Sequence, residues 1–409
     1  VSAEQALGQD LQAILGASAG IQLEAALAAG APGVQPAYLG TVQIANGRHF
    51  DVLAHVCDQL LLLEFEAASR AAAPDFRQLY PKVGNFLLTI NEVQDIAEMS
   101  ALAARQIREV TGFGRVMVYQ FDRDGHGHVL AEDRAEGYAS YLGQRFPASD
   151  IPRQARELYM LNRIRLIGDA NYTPARLVPD INPLTGQPND LSFAALRSVS
   201  PIHLQYMRNM GTLASMSVSL VVKGQLWGLI SCHNETPMPV AFEQRTVCEQ
   251  LGQILALCIE TRTDAGELQF RLEVRRTMVS MLAGLAQNAN FADNLSGVFP
   301  ELLRFARASG AAIVIDDRVL CYGDAPAEQE IRALVQWLGT SGQGEVYHTD
   351  HLSRDYAPAA AYARNASGLL SVSISRIHPH YLLWFRHEVV HTIDWAGKPQ
   401  DKAGVHQLT

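Results

Sequence analysis

The chain has 409 residues, 48% of them hydrophobic and 18% charged, with a formal net charge of -9. That length divides into about three domains of ordinary size, and the composition gives each one material for a buried core. Lysine is confined to Lys82, Lys223, Lys398 and Lys402, and no basic run stands out, which argues against nucleic acid or an acidic membrane surface as a partner.

The five cysteines, Cys57, Cys232, Cys248, Cys258 and Cys321, lack metal-ligand spacing and most lie in apolar runs. Buried, reduced thiols in a cytoplasmic protein are expected. No stretch approaches the roughly 18 apolar residues of a membrane span, and nothing at the start resembles a signal peptide. The opening VSAEQALGQ enters directly into a helical pattern without an initiator Met, so the chain is expected to begin inside a domain.

From Val1 to about Lys82, short helical stretches give way to alternating segments, with Asn46-Gly47 as a hairpin turn between them. A small antiparallel sheet is predicted. Residues 91–111 carry apolar positions at helical spacing and read as one amphipathic helix, ended by Gly112 to Gly114; RVMVYQFD then reads as a strand. Ser149 and Asp150 look like an N-cap, with Pro152 in the first turn of the helix that follows. A long connection from about Gly168 to Asn189 contains Pro174, Pro179, Pro183 and Pro188, and connections of that length inside a domain are often functional.

A helix over SPIHLQYMRNMG leads into two apolar runs joined by Lys223-Gly224, read as adjacent central strands of a hairpin. From Val240 to Phe299 there is no proline, and apolar residues recur at helical spacing. This predicts a long helix, interrupted once near Asp264 to Gly266 or continuous through it, spanning about 60 Å. Beyond it, strands and turns alternate again in a second mixed fold.

The stretch FPASDIPRQARELYMLNRIR, Phe146 to Arg165, together with the later SPIHLQYMRN, resembles the bilin pocket of phytochromes. The resemblance extends over nearly the whole chain and implies a bacterial phytochrome photosensory module. Its fold class would be α+β: PAS, GAF and PHY domains, each a central antiparallel sheet with flanking helices, joined by a long connecting helix. The expected limits are 1–82 for PAS, 83–240 for GAF, 241–285 for the connecting helix and 286–409 for PHY. The proline-rich connection resembles the lasso through which the N-terminal segment threads. Trp384-Phe385-Arg386-His387-Glu388 matches the first motif of the PHY tongue, placed as a strand over 381–395 that reaches back to the pocket. The second tongue motif is expected beyond Thr409.

A bilin is a long cationic ring system with two propionates, and burying it demands partners for its charges. By resemblance, the main-chain carbonyl of Asp150 meets the pyrrole nitrogens and His203 holds the pyrrole water. Alone, His203 would read as a helix-surface imidazole. Arg165 and Arg197 would take the propionates, since a planar guanidinium pairs bidentately with carboxylate and stays charged when partly buried. Tyr159, Ser215 and Ser217 would add hydroxyls, with Ser200 opening the Ser-Pro-Ile-His motif. Tyr119, Phe146, Ile151, Pro152, Tyr206 and Met210 would form an apolar clamp, and His233 would bond the carbonyl of the mobile D ring.

The family position for a thioether after the motif histidine is Leu204 here, which excludes attachment there. The implied pigment is therefore biliverdin IXα, linked through a cysteine upstream of Val1 or held without a covalent bond. Light would isomerise the D-ring methine bridge, refold the tongue and shift the long helices, signalling to an output domain, a histidine kinase with its response regulator, in a homodimer. No catalytic motif lies in the chain itself. Two other readings are a metal site of Asp150, His203 and His233, and a GAF-type sensor of a colourless ligand such as a cyclic nucleotide.

Overall fold

In the computed structural model, the described residues are 3–68, 76–285, 291–341, 344–375 and 378–389. The chain forms two compact units, the first running to Thr263 and the second beginning at Asp264.

The first unit opens with helices α1 (Ala3–Ala6), α2 (Leu11–Leu15) and α3 (Ala17–Ala29), followed by strands β1 (Ala37–Gln43), β2 (His49–Cys57) and β3 (Leu60–Ala67). The strands form an antiparallel meander in sequence order. The Asn46-Gly47 turn is present: Gly47 takes φ +80°, and the Arg48 N–H donates to Asn46 Oδ1 at 3.0 Å. One face of this sheet packs Val42, Val52, Leu63 and Phe65 against Ala19 and Leu23 of α3.

Helices α4 (Phe76–Glu92) and α5 (Ile96–Thr111) come next. The single helix expected over 91–111 is therefore two. The Asp95 carboxylate accepts from the Glu98 N–H and caps α5, and an N-cap residue has extended backbone that interrupts the preceding helix. Gly112 ends α5 in the left-handed conformation, as its position implied. The expected domain limit at 82/83 falls inside α4, which is unbroken across it.

Strands β4 (Arg115–Phe121), β5 (Gly127–Arg134) and β6 (Arg145–Phe146), helix α6 (Arg153–Leu161), strand β7 (Ile164–Ile167), helix α7 (Pro201–Asn209) and strands β8 (Ala214–Val222) and β9 (Gln225–Asn234) complete the second sheet. Its order is β6-β5-β4-β9-β8-β7, so β8 and β9 are the adjacent inner strands that the Lys223-Gly224 turn predicted. Between β7 and α7 the chain forms no helix or named strand, only one isolated bridge at Ile181 and Pro188.

Helix α8 (Phe242–Leu285) is continuous through Asp264 to Gly266. Its first turns are more than a connector. Val247, Cys248, Leu251, Leu255 and Ile259 are fully buried against Val116, Met216, Val218 and Ile230 of the sheet and against α4 and α5. Cys232 and Cys248 are buried as expected, whereas Cys321 is exposed; all five thiols are free.

The second unit contains α9 (Phe291–Ala306), β10 (Gly310–Ile315), β11 (Arg318–Gly323), α10 (Glu328–Thr340), β12 (Val346–Thr349), α11 (Leu352–Asp355), a 3-10 turn at Ala357–Tyr362, β13 (Gly368–Ser373) and β14 (Tyr381–Arg386). Its sheet has the order β11-β10-β14-β13-β12. This corrects the tongue assignment. Tyr381–Arg386 is a central strand of this sheet, hydrogen-bonded to β10 and β13, not part of an extension. The reason is burial on both faces: Phe385 is fully buried on one, and on the other Trp384 is 5% exposed and donates through Nε1 to the Leu302 carbonyl at 2.9 Å. The part of the expected tongue strand from 390 to 395 lies outside the described residues.

Candidate functional site

Side chains alternate across a strand, so the register of the second sheet assigns each residue to a face. Val116, Met216, Val218, Ile230 and Cys232 point to the helical core. Their neighbours point the other way. Arg115 pairs with His233, His233 with Ser215, and Ser231 with Ser217, which in turn pairs with Arg165. A sheet that is apolar on one face thus carries a row of arginine, histidine and serine on the other.

Tyr119 continues this row on β4 and meets Phe146 of β6, with ring centroids 5.8 Å apart. Gly127, beside it on β5, leaves room for that ring; a Cβ there would overlap the Tyr119 phenol. Phe146, Tyr119 and Met117 form a small buried cluster with Ile151 packed against it.

The turn leading to α6 holds Asp150. Its carboxylate does not cap the helix; the N-cap position is Pro152, extended at ψ 160° and without a side-chain bond. Instead Tyr206 of α7 donates to Asp150 Oδ2 at 3.3 Å, while the Asp150 N–H donates to the Pro147 carbonyl. The preceding Ala148 N–H donates to His126 Nδ1 at 3.1 Å, a support that the motif did not reveal. Burial raises the pKa of both Tyr119 and Tyr206, and the Asp150 charge raises each further. All three groups therefore share one electrostatic environment.

Arg165 and Arg197 form a second group. The Arg165 guanidinium lies over the Tyr159 ring at 5.3 Å and donates to the Leu158 carbonyl at 3.2 Å, with Nε buried and unpartnered. Arg197 donates to the Ala194 carbonyl at 3.1 Å. Burial lowers the pKa of both, that of Arg197 to about 10, with the Arg165 charge as its second cause. The two guanidiniums repel, since the Arg165 charge acts on Arg197, and an anionic ligand group between them would relieve that cost.

His203 and His233 make the third group. His233 Nε2 shares a hydrogen bond with Ser231 Oγ at 3.0 Å, and its buried Nδ1 has no partner. Burial, then the Arg115 and His203 charges, push its pKa down to about 3, so the ring is neutral at physiological pH. The His203 ring stacks on Tyr206 at 6.4 Å; although open to solvent, it is flanked closely enough that desolvation lowers its pKa.

Ser200 and Pro152 are exposed at the starts of α7 and α6, and Met210 is half-buried at the end of α7. Two further contributors escaped the motif: Arg115, 4% exposed with its guanidinium 4.1 Å over the Tyr141 ring, and Ser231. Strand alternation from His233 would have found Ser231. The metal alternative is not assembled: among the described residues no three His, Cys, Asp or Glu side chains come together to hold an ion. No helix among those residues is long and apolar enough to cross a membrane.

The chemistry of this donor set, unpartnered cationic and imidazole nitrogens beside an aromatic wall, fits an elongated ligand that carries both anionic groups and ring nitrogens.

Comparison with known proteins places the same three regions in families. A phytochrome-region model matches residues 274–409, a GAF domain model 95–259 and a PAS fold model 1–68. Cyanobacterial phytochrome B of Nostoc is 41% identical over 86% of this chain and 47% of its own length. The bacteriophytochrome of Pseudomonas aeruginosa is 37% identical over 88% of this chain and 49% of its own. The chain thus spans about half the length of these curated relatives. Among solved structures, a bacteriophytochrome of the photosynthetic bacterium R. palustris superimposes with a TM-score of 0.83 at 38% identity, covering 97% of this chain and 80% of that one. The Stigmatella aurantiaca phytochrome photosensory core module gives 0.78 at 38%, covering 98% and 79%. With all three domain types in sequence and a solved relative of this kind matched across most of both chains, the protein belongs to the phytochrome family, as a PAS-GAF-PHY photosensory module.

Proposed function

We propose that this module senses red and far-red light through biliverdin IXα, a linear tetrapyrrole, held on the polar face of the second sheet. The observation that carries the reading is that face: Arg165 Nε and His233 Nδ1 are buried without partners, among two guanidiniums and two imidazoles. A colourless cyclic nucleotide gives no reason for so long a row of donors ending in an aromatic clamp.

When bound, the tetrapyrrole supplies red absorption and a double bond that isomerises. The chain's own residues do the rest. Arg165 and Arg197 would pair with the propionates, each relieving the other's repulsion through a shared anionic partner. Tyr159, Ser215 and Ser217 add hydroxyls along the same edge. Asp150 would present its carbonyl and carboxylate at the ring nitrogens, oriented by Tyr206. His233, neutral because it is buried, would offer an N–H rather than a charge to the mobile end, with Ser231 fixing the imidazole plane. Ile151, Pro152 and Met210 would border the rings beside Tyr119, Phe146 and Tyr206, with Ser200 and His203 at the start of α7.

Leu204, where other family members attach pigment, is 6% exposed and packed on Ala170 and Met207. In this reading the pigment is linked through a cysteine upstream of Val1 or is held without a covalent bond. The whole protein is read as a cytoplasmic homodimer whose output is a histidine kinase acting on a response regulator; the relatives' greater length leaves room for it.

The test is an absorption spectrum of the protein with biliverdin before and after red light, with zinc fluorescence on a denaturing gel. A red band that shifts under light is expected. No visible band would overturn the reading in favour of a colourless-ligand sensor, and a gel without fluorescence would remove the thioether.

A further inference from the structure

One buried ionisable pair is left over by this mechanism. His55 of β2 is fully buried, and the Glu64 side chain of β3 is 8% exposed, with His55 Nδ1 4.0 Å from Glu64 Oε1. Neither ring nitrogen of His55 has a hydrogen-bond partner, nor does Glu64 Oε1. Both residues lie on the face of the first sheet opposite α3, because Leu63 and Phe65, on either side of Glu64, pack with α3. A carboxylate with so little water is costly unless its remaining oxygen is well used.

That oxygen reaches across to the second sheet's domain. Glu64 Oε2 accepts the Leu196 N–H at 2.8 Å, and Phe193 sets its ring edge against His55 with centroids 6.4 Å apart. Arg197 is the next residue after Leu196, and the Glu64 charge acts on its guanidinium. Two residues along the same face, Glu66 pairs with Arg245 of α8 at 2.7 Å. The strand therefore grips the neighbouring domain twice, once through a helix and once through the loop that carries a proposed pigment ligand.

We propose that Glu64 is a positioning residue for the pigment, acting through Leu196 to hold the backbone from which the Arg197 guanidinium projects. This rests on the biliverdin reading above. The first sheet then shapes the pocket without touching its occupant: it fixes one of the two arginines against the repulsion of the other. Glu66 and Arg245, by contrast, join the domains at a point remote from the pocket residues in sequence.

The test uses the whole chain. In the pigment-free protein, Glu64→Ala should speed hydrogen exchange of the Leu196 amide by about tenfold, the consequence of losing one hydrogen bond, whereas Glu64→Gln, which keeps an acceptor oxygen, should change it by less than about threefold. Should Glu64→Ala fail to fold, Glu64→Asp keeps the charge but withdraws the acceptor by one methylene, and the same acceleration is expected. With biliverdin, Glu64→Ala should weaken binding about fivefold in the wild-type background and have no further effect in Arg197→Ala. Unchanged Leu196 exchange would overturn the clasp itself. Additive losses with Arg197→Ala would overturn its action through Arg197 and leave a purely structural role. A wild-type protein that binds no biliverdin would sink the photoreceptor reading and the pigment role with it, a result separable from the exchange measurement, which needs no pigment.

Discussion

The two larger sheets share one topology. Setting aside the two-residue edge strand β6, in each the first strand pairs with the second and the last, and the fourth and third follow outward: β5-β4-β9-β8-β7 in the first unit, β11-β10-β14-β13-β12 in the second. Position by position, Arg115 opposite His233 corresponds to Gly310 opposite Phe385. Where the first sheet presents arginine, histidine and serine, the equivalent face of the second presents Ala312, Val314, Leu383 and Phe385, filled by Ile331, Leu334 and Leu338. One fold thus yields a polar face, the proposed binding face, in one copy and a closed core in the other. The difference lies in about six side chains on alternate strand positions, so here the site, not the fold, carries the function.

The largest effect should come from forcing the filled face to resemble the open one. Phe385→His places an imidazole in a fully buried apolar site with no partner, and should destabilise the second unit by about 3–5 kcal/mol, read as a lower urea midpoint. A loss below about 1 kcal/mol would mean that this face tolerates polar groups and that the contrast is overstated. Next comes the double change Arg165→Ala with Arg197→Ala. Biliverdin affinity should fall about a hundredfold, roughly 3 kcal/mol, while the pigment-free protein holds or gains stability because a half-buried like-charge pair is gone. Equal damage to the pigment-free protein would show that the arginines are structural.

The sequence made part of this legible. The Asn46-Gly47 and Lys223-Gly224 turns and the apolar runs beside them fixed four strands, because a tight turn between period-2 segments has few alternatives. Phe146 to Pro152 and the Ser-Pro-Ile-His motif marked the elements that cover the site. What stayed hidden depended on tertiary partners. The apolar period of α5 continues back past Asp95 and masked the one local signal of a new helix start, an Asp followed three residues later by Glu98. Trp384 and Phe385 alternate faces in any strand, whether on an extension or in a sheet centre; only Leu302 and the β10 pairing decide. Glu64, Phe65 and Glu66 alternate as a solvent-facing strand would, yet both carboxylates are spent on Leu196 and Arg245.

A smaller effect tests whether the open face is costly to keep. His233→Leu is close in volume and removes the unpartnered Nδ1, so the pigment-free protein should gain about 1 kcal/mol while losing the photoproduct. A net destabilisation would mean that the Ser231 hydrogen bond already repays the buried ring.

The same residue also predicts a dependence on pH. In the folded chain the His233 pKa is lowered to about 3 by burial and by the Arg115 and His203 charges, against an ordinary value of 6.5 in the unfolded chain. As pH falls below about 6.5 the unfolded chain therefore binds a proton that the folded chain refuses, and unfolding gains. Stability from this group is complete above about pH 6.5 and declines as pH falls towards 3. Carboxylates and other histidines titrate in the same range, so the comparison that isolates His233 is between urea midpoints of wild type and His233→Leu, each at pH 7 and pH 5. The wild-type midpoint should fall further between the two. Parallel falls would mean that His233 can take a proton without unfolding, and hence that water reaches the polar face more freely than its buried nitrogens imply.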